Sequence, residues 1–397
     1  MVRKSKRSTI TKLYKFRIYP SKDQIKKFDQ FFGARRFIYN HFLALKKEHH
    51  KNGLKFSFYK EDQATLTQLR KSLEWMKTIH SQACQAALRD LHQAYKNFFS
   101  PKLKAGPPKF KKRNFSEKSF RIPQGIKIEE NLLKMPAFLE GIRIKRHREI
   151  NGKISFCTIK KTSTNKYFAS LCFHDQKQKK LKRTKNEVGL DFGIKNALIE
   201  DNGEKHDKHQ NLDKYHKKLR KNQRKLSKKK RGSNNYKKQK LKVARCHEKV
   251  KNVRKDKLDK ISKKIIDENQ AIYLEDLTVQ FMIKNRNLAF AASNTAISML
   301  KSMIEYKASW YGRELVLVPP RNTSKTCHAC DWVNKDLKLK DREWTCLSCK
   351  THHDRDINAA LVIKKKGQLL RRAGTAQNHA FLLPKDPPKV VSPTVIN

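Results

Sequence analysis

The chain has 397 residues, of which 93 are Lys or Arg and 36 are Asp or Glu, for a formal net charge of +57. With 37% hydrophobic residues and no run of about 18 apolar residues, a membrane-spanning helix is excluded, while 21 Phe and 11 Tyr exclude a wholly disordered chain. A charge excess this large opposes compaction unless a polyanion is at hand, and it is several times the roughly 6–10 phosphate contacts of one duplex site; a large nucleic acid such as a structured RNA subunit is expected, the alternative being a basic, solvated surface.

Taken in chain order, the basic segment Met1–Arg7 leads into no apolar stretch, so no secretion signal is expected and the protein is placed inside the cell. Residues 11–19 alternate basic and apolar side chains, the period of a strand, and Pro20 ends it. Ser21 and Gln24 form a capping box, with Ile25, Phe28 and Phe32 following at helical spacing. Further helices are expected near 60–75 and 78–99, closed by Pro101 and Gly106-Pro107-Pro108. From about Ser119 to Phe173 short strands alternate with turns, one at Asn151-Gly152; a small β-barrel is their natural closure, with the first strand joining it and the helices inserted. The basic and aromatic residues interleaved from Lys109 to Phe115 suit a nucleic-acid groove or an exposed loop.

A Lys-rich linker at 174–186 precedes a hairpin of strands at 188–192 and 197–199. Residues 205–268 are the most basic; Leu212, Tyr215, Leu219 and Leu226, then Val250, Val253, Leu258, Ile261 and Ile265, keep helical spacing either side of a Gly-Ser-Asn-Asn turn. Two antiparallel helices are expected, crowded with Lys and suited to a nucleic-acid backbone. A strand at 271–275, a long helix around 292–311 and a strand at 314–318 then continue an alternating α/β pattern.

Of the 8 cysteines, Cys327, Cys330, Cys346 and Cys349 form two Cys-x-x-Cys pairs about 15 residues apart, the spacing of a closed, structural four-thiolate zinc ribbon. Trp332 and Trp344 should pack beside it, and His328, His352 and His353 are expected in solvent or on phosphates, since four sulfurs fill a tetrahedron. Three acidic residues stand out: Asp191 and Glu275 in short apolar runs that look like buried strands, and Asp356 opening an apolar helical stretch. Converging carboxylates repel, and a pair of divalent cations is the usual remedy. Two such ions about 4 Å apart are the standard apparatus for cutting a phosphodiester bond. Asp276 and Asp354 are the neighbouring alternatives, and strand alternation sends Asp276 to the opposite face.

These motifs resemble the TnpB (OrfB) family of transposon-encoded proteins, related to type V CRISPR effectors. The resemblance rests on residues 14–20, Pro108-Lys-Phe-Lys111, Gly189-Leu-Asp-Phe-Gly193, Leu274-Glu-Asp-Leu277, Ser324–Cys330, Cys346–Cys349 and Asp354-Arg-Asp-Ile-Asn-Ala-Ala360, in the family's order. It implies a multi-domain α/β (α+β) protein. An RNase H-like RuvC nuclease domain would occupy 187–322 and 352–372, and the zinc ribbon 323–351. An N-terminal wedge barrel would occupy 1–20 and 106–180, with a helical recognition insertion at 21–105 and a tail at 373–397. It further implies a guide RNA and cleavage of double-stranded DNA beside a short target-adjacent motif. Asp191, Glu275 and Asp356 would be the catalytic ligands of two Mg²⁺ or Mn²⁺ ions, with the Asp-x-Asn-Ala-Ala spacing favouring Asp356 over Asp354. A monomer on its RNA is favoured. Where the family has Gly after each Cys-x-x-Cys, this chain has Asp331 and Lys350. An RNA-guided DNA-binding regulator and a transposase are the competing readings.

Overall fold

The computed structural model describes residues 9–374 apart from 55, 57–58, 102, 104, 114–117, 150–151, 178–179, 194–195, 208–211, 278–296 and 339. Asn114 and Phe115 of the basic–aromatic loop, Asn151 of the expected turn, the start of the helix expected from 292 and the tail beyond 374 lie outside the described residues. Two units are formed, Met1–Lys177 and Gln178–Asn397.

In the first unit, strand β1 (Thr9–Tyr19) buries Phe16 and Ile18 and turns Leu13, Lys15 and Tyr19 outward, as its alternation requires. It pairs antiparallel with β5 (Phe138–Lys145) and β7 (Tyr167–Lys177), Ile18 lying opposite both Ile144 and Tyr167. With β2 (Lys118–Ile122), β3 (Lys127–Glu129), β4 (Leu132–Met135) and β6 (Ile154–Lys161) it makes one sheet ordered β2-β6-β7-β1-β5-β4-β3. The expected barrel does not close: β2 and β3 are the two edges of that order. The reason lies in helix α1 (Lys22–Lys51), which begins at the Ser21–Gln24 capping box and ends beside Gly53 at φ 68°. Its Phe28 and Phe31 meet Phe120 of β2 and Phe138 of β5 at ring separations of 4.8–5.5 Å. A helix thus packs its aromatic face against both β2 and β5, where a closed barrel would pack its strands' own side chains on one another.

Helices α2 (Tyr59–Ser72), α3 (Glu74–Lys77) and α4 (Ser81–Phe99) complete the helical block between β1 and β2. A buried Lys46 there is neutralised by Asp62, 2.6 Å away, which also meets His92 at 2.7 Å, so the charge is paired as burial demands.

The second unit is built on a five-stranded sheet ordered β10-β9-β8-β11-β12. Strands β8 (Glu187–Asp191), β11 (Ala271–Glu275) and β12 (Glu314–Val318) are parallel neighbours; β9 (Asn196–Glu200) and β10 (Lys205–Asp207) add antiparallel. Every residue of β11 is buried, because both faces are covered. On one side, Leu190 and Leu274 pack with α6 (Asn234–Glu268) and α7 (Ile297–Tyr311); on the other, Tyr273 and Val318 pack with Ile363 of α8 (Arg355–Arg372). α5 (Leu212–Ser227) and α6 form the expected hairpin, α5 burying only Leu212 and Leu219. Ser233 caps α6. Deeper in, buried Lys307 of α7 bonds the Asp259 carbonyl and the Ser262 hydroxyl, pinning α6 to the core.

Close approach of α8 to the sheet depends on two glycines. A Cβ on Gly189 would lie 2.2 Å from the Ala360 carbonyl oxygen, and one on Gly367 would lie 2.2 Å from the Tyr273 ring. Gly189→Ala is therefore expected to destabilise the second unit by about 1–3 kcal/mol, since backbone cannot move aside as a flexible side chain can. Thermal unfolding checks this against Gly106→Ala, whose site has nothing within 4 Å; equal melting temperatures would show that the contact is not tight.

Candidate active site and metal centre

Parallel β8 and β11 pair in the register Leu190↔Leu274, so Asp191 and Glu275, one residue further on in each, stand side by side at the carboxyl ends of the two strands. This end of an open α/β sheet is where sites form. Glu275 is 5% exposed and Thr323 is 2% exposed; the Thr323 hydroxyl donates to Glu275 Oε1. Asp356 comes from the first turn of α8. Its backbone N–H donates to Asp354 Oδ1 at 2.9 Å, and Arg342 Nη1 stands 3.7 Å from Asp356 Oδ1.

These three carboxylates are electrostatically coupled. Burial first, then the charges of Glu275 and Asp356, push the Asp191 carboxyl up to about 7. Burial also raises Glu275, offset in part by the Thr323 hydrogen bond and by Lys366. Among the described residues, the sets whose ligand atoms all lie within 4.8 Å are the four cysteines and Glu200–Glu204–His206, so the acidic trio is gathered without converging to one-ion distance. Two ions about 3.5–4 Å apart, with ligand bonds of about 2.1 Å, would spread their donors over roughly 8 Å and so need no one-ion convergence. The Glu200 set is already engaged: His206 Nε2 lies 2.6 Å from Glu200, and Lys264 bonds both Glu204 oxygens.

The neighbouring acids are otherwise engaged. Asp276 is exposed and pairs with Lys301 of α7. Asp354 is the N-cap of α8, accepting from the Asp356 and Ile357 N–H groups, while its other oxygen meets Lys205 at 2.6 Å. Although burial opposes it, the Lys205 hydrogen bond and the two backbone donors hold the Asp354 carboxyl below its ordinary range.

The four cysteine sulfurs meet as their spacing predicts, Cys327 to Cys349 and Cys330 to Cys346 each at 3.6 Å. Tetrahedral zinc with bonds of about 2.3 Å separates its sulfurs by about 3.8 Å, so the donor set fits that ion. Both knuckles close with a backbone bond of 3.0 Å, Asp331 N–H to Cys327 O and Lys350 N–H to Cys346 O. Asp331 and Lys350 each sit at φ 62°, the left-handed turn that glycine adopts without cost. The turn shape thus survives the loss of glycine. Thr351 donates to Cys349 and holds its thiol down to about 6. Trp344 is buried with Cys327, Cys346 and Leu337, and Trp332 packs against them.

One expectation is corrected here. His353 is 3% exposed rather than solvated, its ring centroid 4.6 Å from that of Trp344 and tilted by 47°, with Nε2 3.1 Å from Cys327 Sγ. A ring N–H donated to a thiolate lowers its charge without joining the tetrahedron. His353→Phe should keep the packing on Trp344 and weaken zinc retention roughly tenfold; competition with a colorimetric chelator measures it, and unchanged retention would remove the role. His328 also has a partner, as its backbone N–H and Nδ1 both lie 3.0 Å from Asn358 Oδ1. His352 is exposed. Sequence patterning missed His353, Thr323 and Asn358; the Asn of Asp-x-Asn was the available signal, since a buried amide beside an acidic helix start needs partners.

With this geometry in place, comparison with known proteins is informative. A family model described as "Probable transposase" (OrfB, IS605) matches residues 170–286, and a "Cas12f1-like, TNB domain" model matches 298–363. Between them these ranges contain Asp191, Glu275, Asp356 and the four cysteines. A Streptomyces pristinaespiralis protein named "Putative RNA-guided DNA endonuclease" is 34% identical over 366 residues, 90% of each chain. InsQ of Escherichia coli K12, given the same description, is 30% identical over 399 residues, 96% of this chain and 98% of InsQ. The chain belongs to the TnpB (OrfB) family. A model described as a helix-turn-helix domain matches residues 8–55, yet the described residues of that span form strand β1 and one unbroken 30-residue helix. Among solved structures, a Cas12f1–sgRNA–target DNA complex is 17% identical with a TM-score of 0.49, covering 90% of this chain and 99% of that one. No helix of the described residues of this TnpB-family chain is long and apolar enough to cross a membrane.

Proposed function

We propose that this chain is an RNA-guided DNA endonuclease, with Asp191, Glu275 and Asp356 holding a pair of Mg²⁺ or Mn²⁺ ions and the four cysteines holding one structural zinc. The observation that carries the reading is the parallel register that sets Asp191 beside Glu275 at the carboxyl ends of β8 and β11, with Asp356 close enough for its charge to help raise the Asp191 carboxyl. Acidic groups that disfavour one another's ionisation are relieved by a bound proton or by bound cations. When bound, the ion pair would polarise the scissile phosphate and generate the attacking hydroxide.

The protein's own part is to place and ready those ligands. Asp191, which feels the charges of both other carboxylates, would be one of the ligands; Glu275 is held by Thr323, and Asp356 is delivered by the capped start of α8. Membership of the family and the chemistry of the site support a RuvC-like nuclease domain over 187–322 and 352–372, with the ribbon at 323–351. The first unit, Met1–Lys177, would supply nearly all of the wedge (1–20 and 106–180) and the recognition part (21–105). The lysine-rich α5–α6 hairpin would track nucleic-acid phosphates, and base pairing with a transposon-derived guide would select the DNA.

Purified protein carrying its RNA, incubated with Mg²⁺ and a plasmid bearing a match to that RNA, tests the assignment. Guide-dependent double-strand cleavage is expected. Binding without cleavage would favour a regulator, and RNA-independent joining of DNA ends a transposase.

A further inference from the structure

Two side chains tie the zinc-bearing segment to the acidic site. The chain enters the ribbon from β12 through the turn at 319–326, where the Asn322 carbonyl accepts from Lys325 N–H, Thr326 N–H and the Thr326 hydroxyl. Within that turn, Thr323 bonds Glu275. After the chain leaves the ribbon, Asn358 sits two residues beyond Asp356 and is 1% exposed. Its Oδ1 accepts the His328 backbone N–H at 3.0 Å, and its Nδ2 donates to the Thr326 carbonyl at 2.7 Å. The Asn358 amide therefore grips the backbone on both sides of Cys327, as a neighbouring strand would. Arg355, between Asp354 and Asp356, adds bonds from its backbone N–H to Arg342 O and from Nη1 to Lys338 O, both within the ribbon hairpin.

We propose that Thr323 and Asn358 are positioning residues through which the zinc-organised ribbon sets Glu275 and Asp356, so that zinc occupancy at the cysteines and divalent-cation affinity at the carboxylates are thermodynamically coupled. This deepens the nuclease reading and rests on it. Merely satisfying buried polar atoms would not require both partners to lie in the same zinc-bearing segment. Here one tie faces the Glu275 strand and the other the Asp356 helix, flanking the first knuckle. Folding that knuckle fixes both carboxylates together, and coupling of this kind acts in both directions.

The test uses the full-length protein with its bound RNA and the variants Thr323→Val, Thr323→Ser and Asn358→Leu. Mn²⁺ binding followed by electron paramagnetic resonance gives a readout independent of cleavage. Loss of an outer partner to a metal ligand weakens metal binding by about 10–100-fold. For Thr323→Val, Mn²⁺ affinity is expected to fall roughly tenfold, the Mg²⁺ concentration for half-maximal cleavage to rise by a similar factor, and zinc content to stay at that of the unaltered protein. Thr323→Ser, which keeps the hydroxyl, should recover most of the affinity. Asn358→Leu should weaken Mn²⁺ and loosen zinc together.

Mn²⁺ affinity within twofold of the unaltered protein in Thr323→Val overturns the proposal, whatever Asn358→Leu does. Asp191→Ala separates the two levels. If it binds Mn²⁺ normally, the nuclease reading fails. If it loses Mn²⁺ while Thr323→Val does not, only the positioning role falls.

Discussion

Replacing Asp191 by alanine is expected to lower guide-dependent DNA cleavage by at least about a thousandfold, while leaving RNA retention and DNA binding intact. Charge stabilisation by catalytic ions is worth several kcal/mol, and each 1.36 kcal/mol is a factor of ten in rate. Gel-based plasmid cleavage and a binding assay on the same preparation decide it. Cleavage within tenfold of the unaltered protein would remove Asp191 from the chemistry. The same residue predicts a stability effect with a definite sign. In ion-free protein its carboxyl titrates near 7, above the ordinary 3.8. The folded state thus binds more protons than the unfolded state between about pH 4 and 7, and stability falls as pH rises through that window. Asp191→Asn removes this slope. In chelator, its melting temperature should exceed that of the unaltered protein at pH 8 and approach it at pH 4, and Mg²⁺ should close the gap at pH 8.

Cys346→Ser is expected to lose bound zinc and unfold the segment 323–351, with cleavage falling by at least about a hundredfold. Zinc binding in small thiolate domains supplies about 10–16 kcal/mol, more than the little cluster of Cys327, Leu337, Trp344 and Cys346 could replace. Zinc stoichiometry and protease sensitivity within the ribbon measure the direct effect. The loss of cleavage follows because the ribbon carries Thr323 and is gripped by Asn358. Intact zinc content, or full activity without zinc, would contradict it. Exposed Lys350, by contrast, is a site where Gly should be tolerated or favoured, since φ 62° suits glycine better.

Local chemistry was legible in the amino-acid sequence. The Cys-x-x-Cys spacing determined the four-sulfur cluster, because each pair fixes two ligands within one tight turn. The Ser21–Gln24 box determined where the first long helix starts, and alternation determined which side chains of 11–19 face inward. The carboxylates at 191 and 275 were marked by their apolar settings, since burying an acid there is costly without a purpose.

Long-range closure was decided by tertiary packing. Whether seven strands meet edge to edge depended on what packed against them, and the aromatic face of Lys22–Lys51 did so. The spacing favoured Asp356 over Asp354 only through the family resemblance; what tertiary packing added is that Asp354 caps the helix start, with Lys205 on its remaining oxygen. His353 looked like one of three surface histidines until the fold laid it on Trp344 and Cys327. Sequence records each side chain's chemistry and its near neighbours, whereas a hydrogen bond between residues such as 275 and 323 exists only once separate elements have packed together.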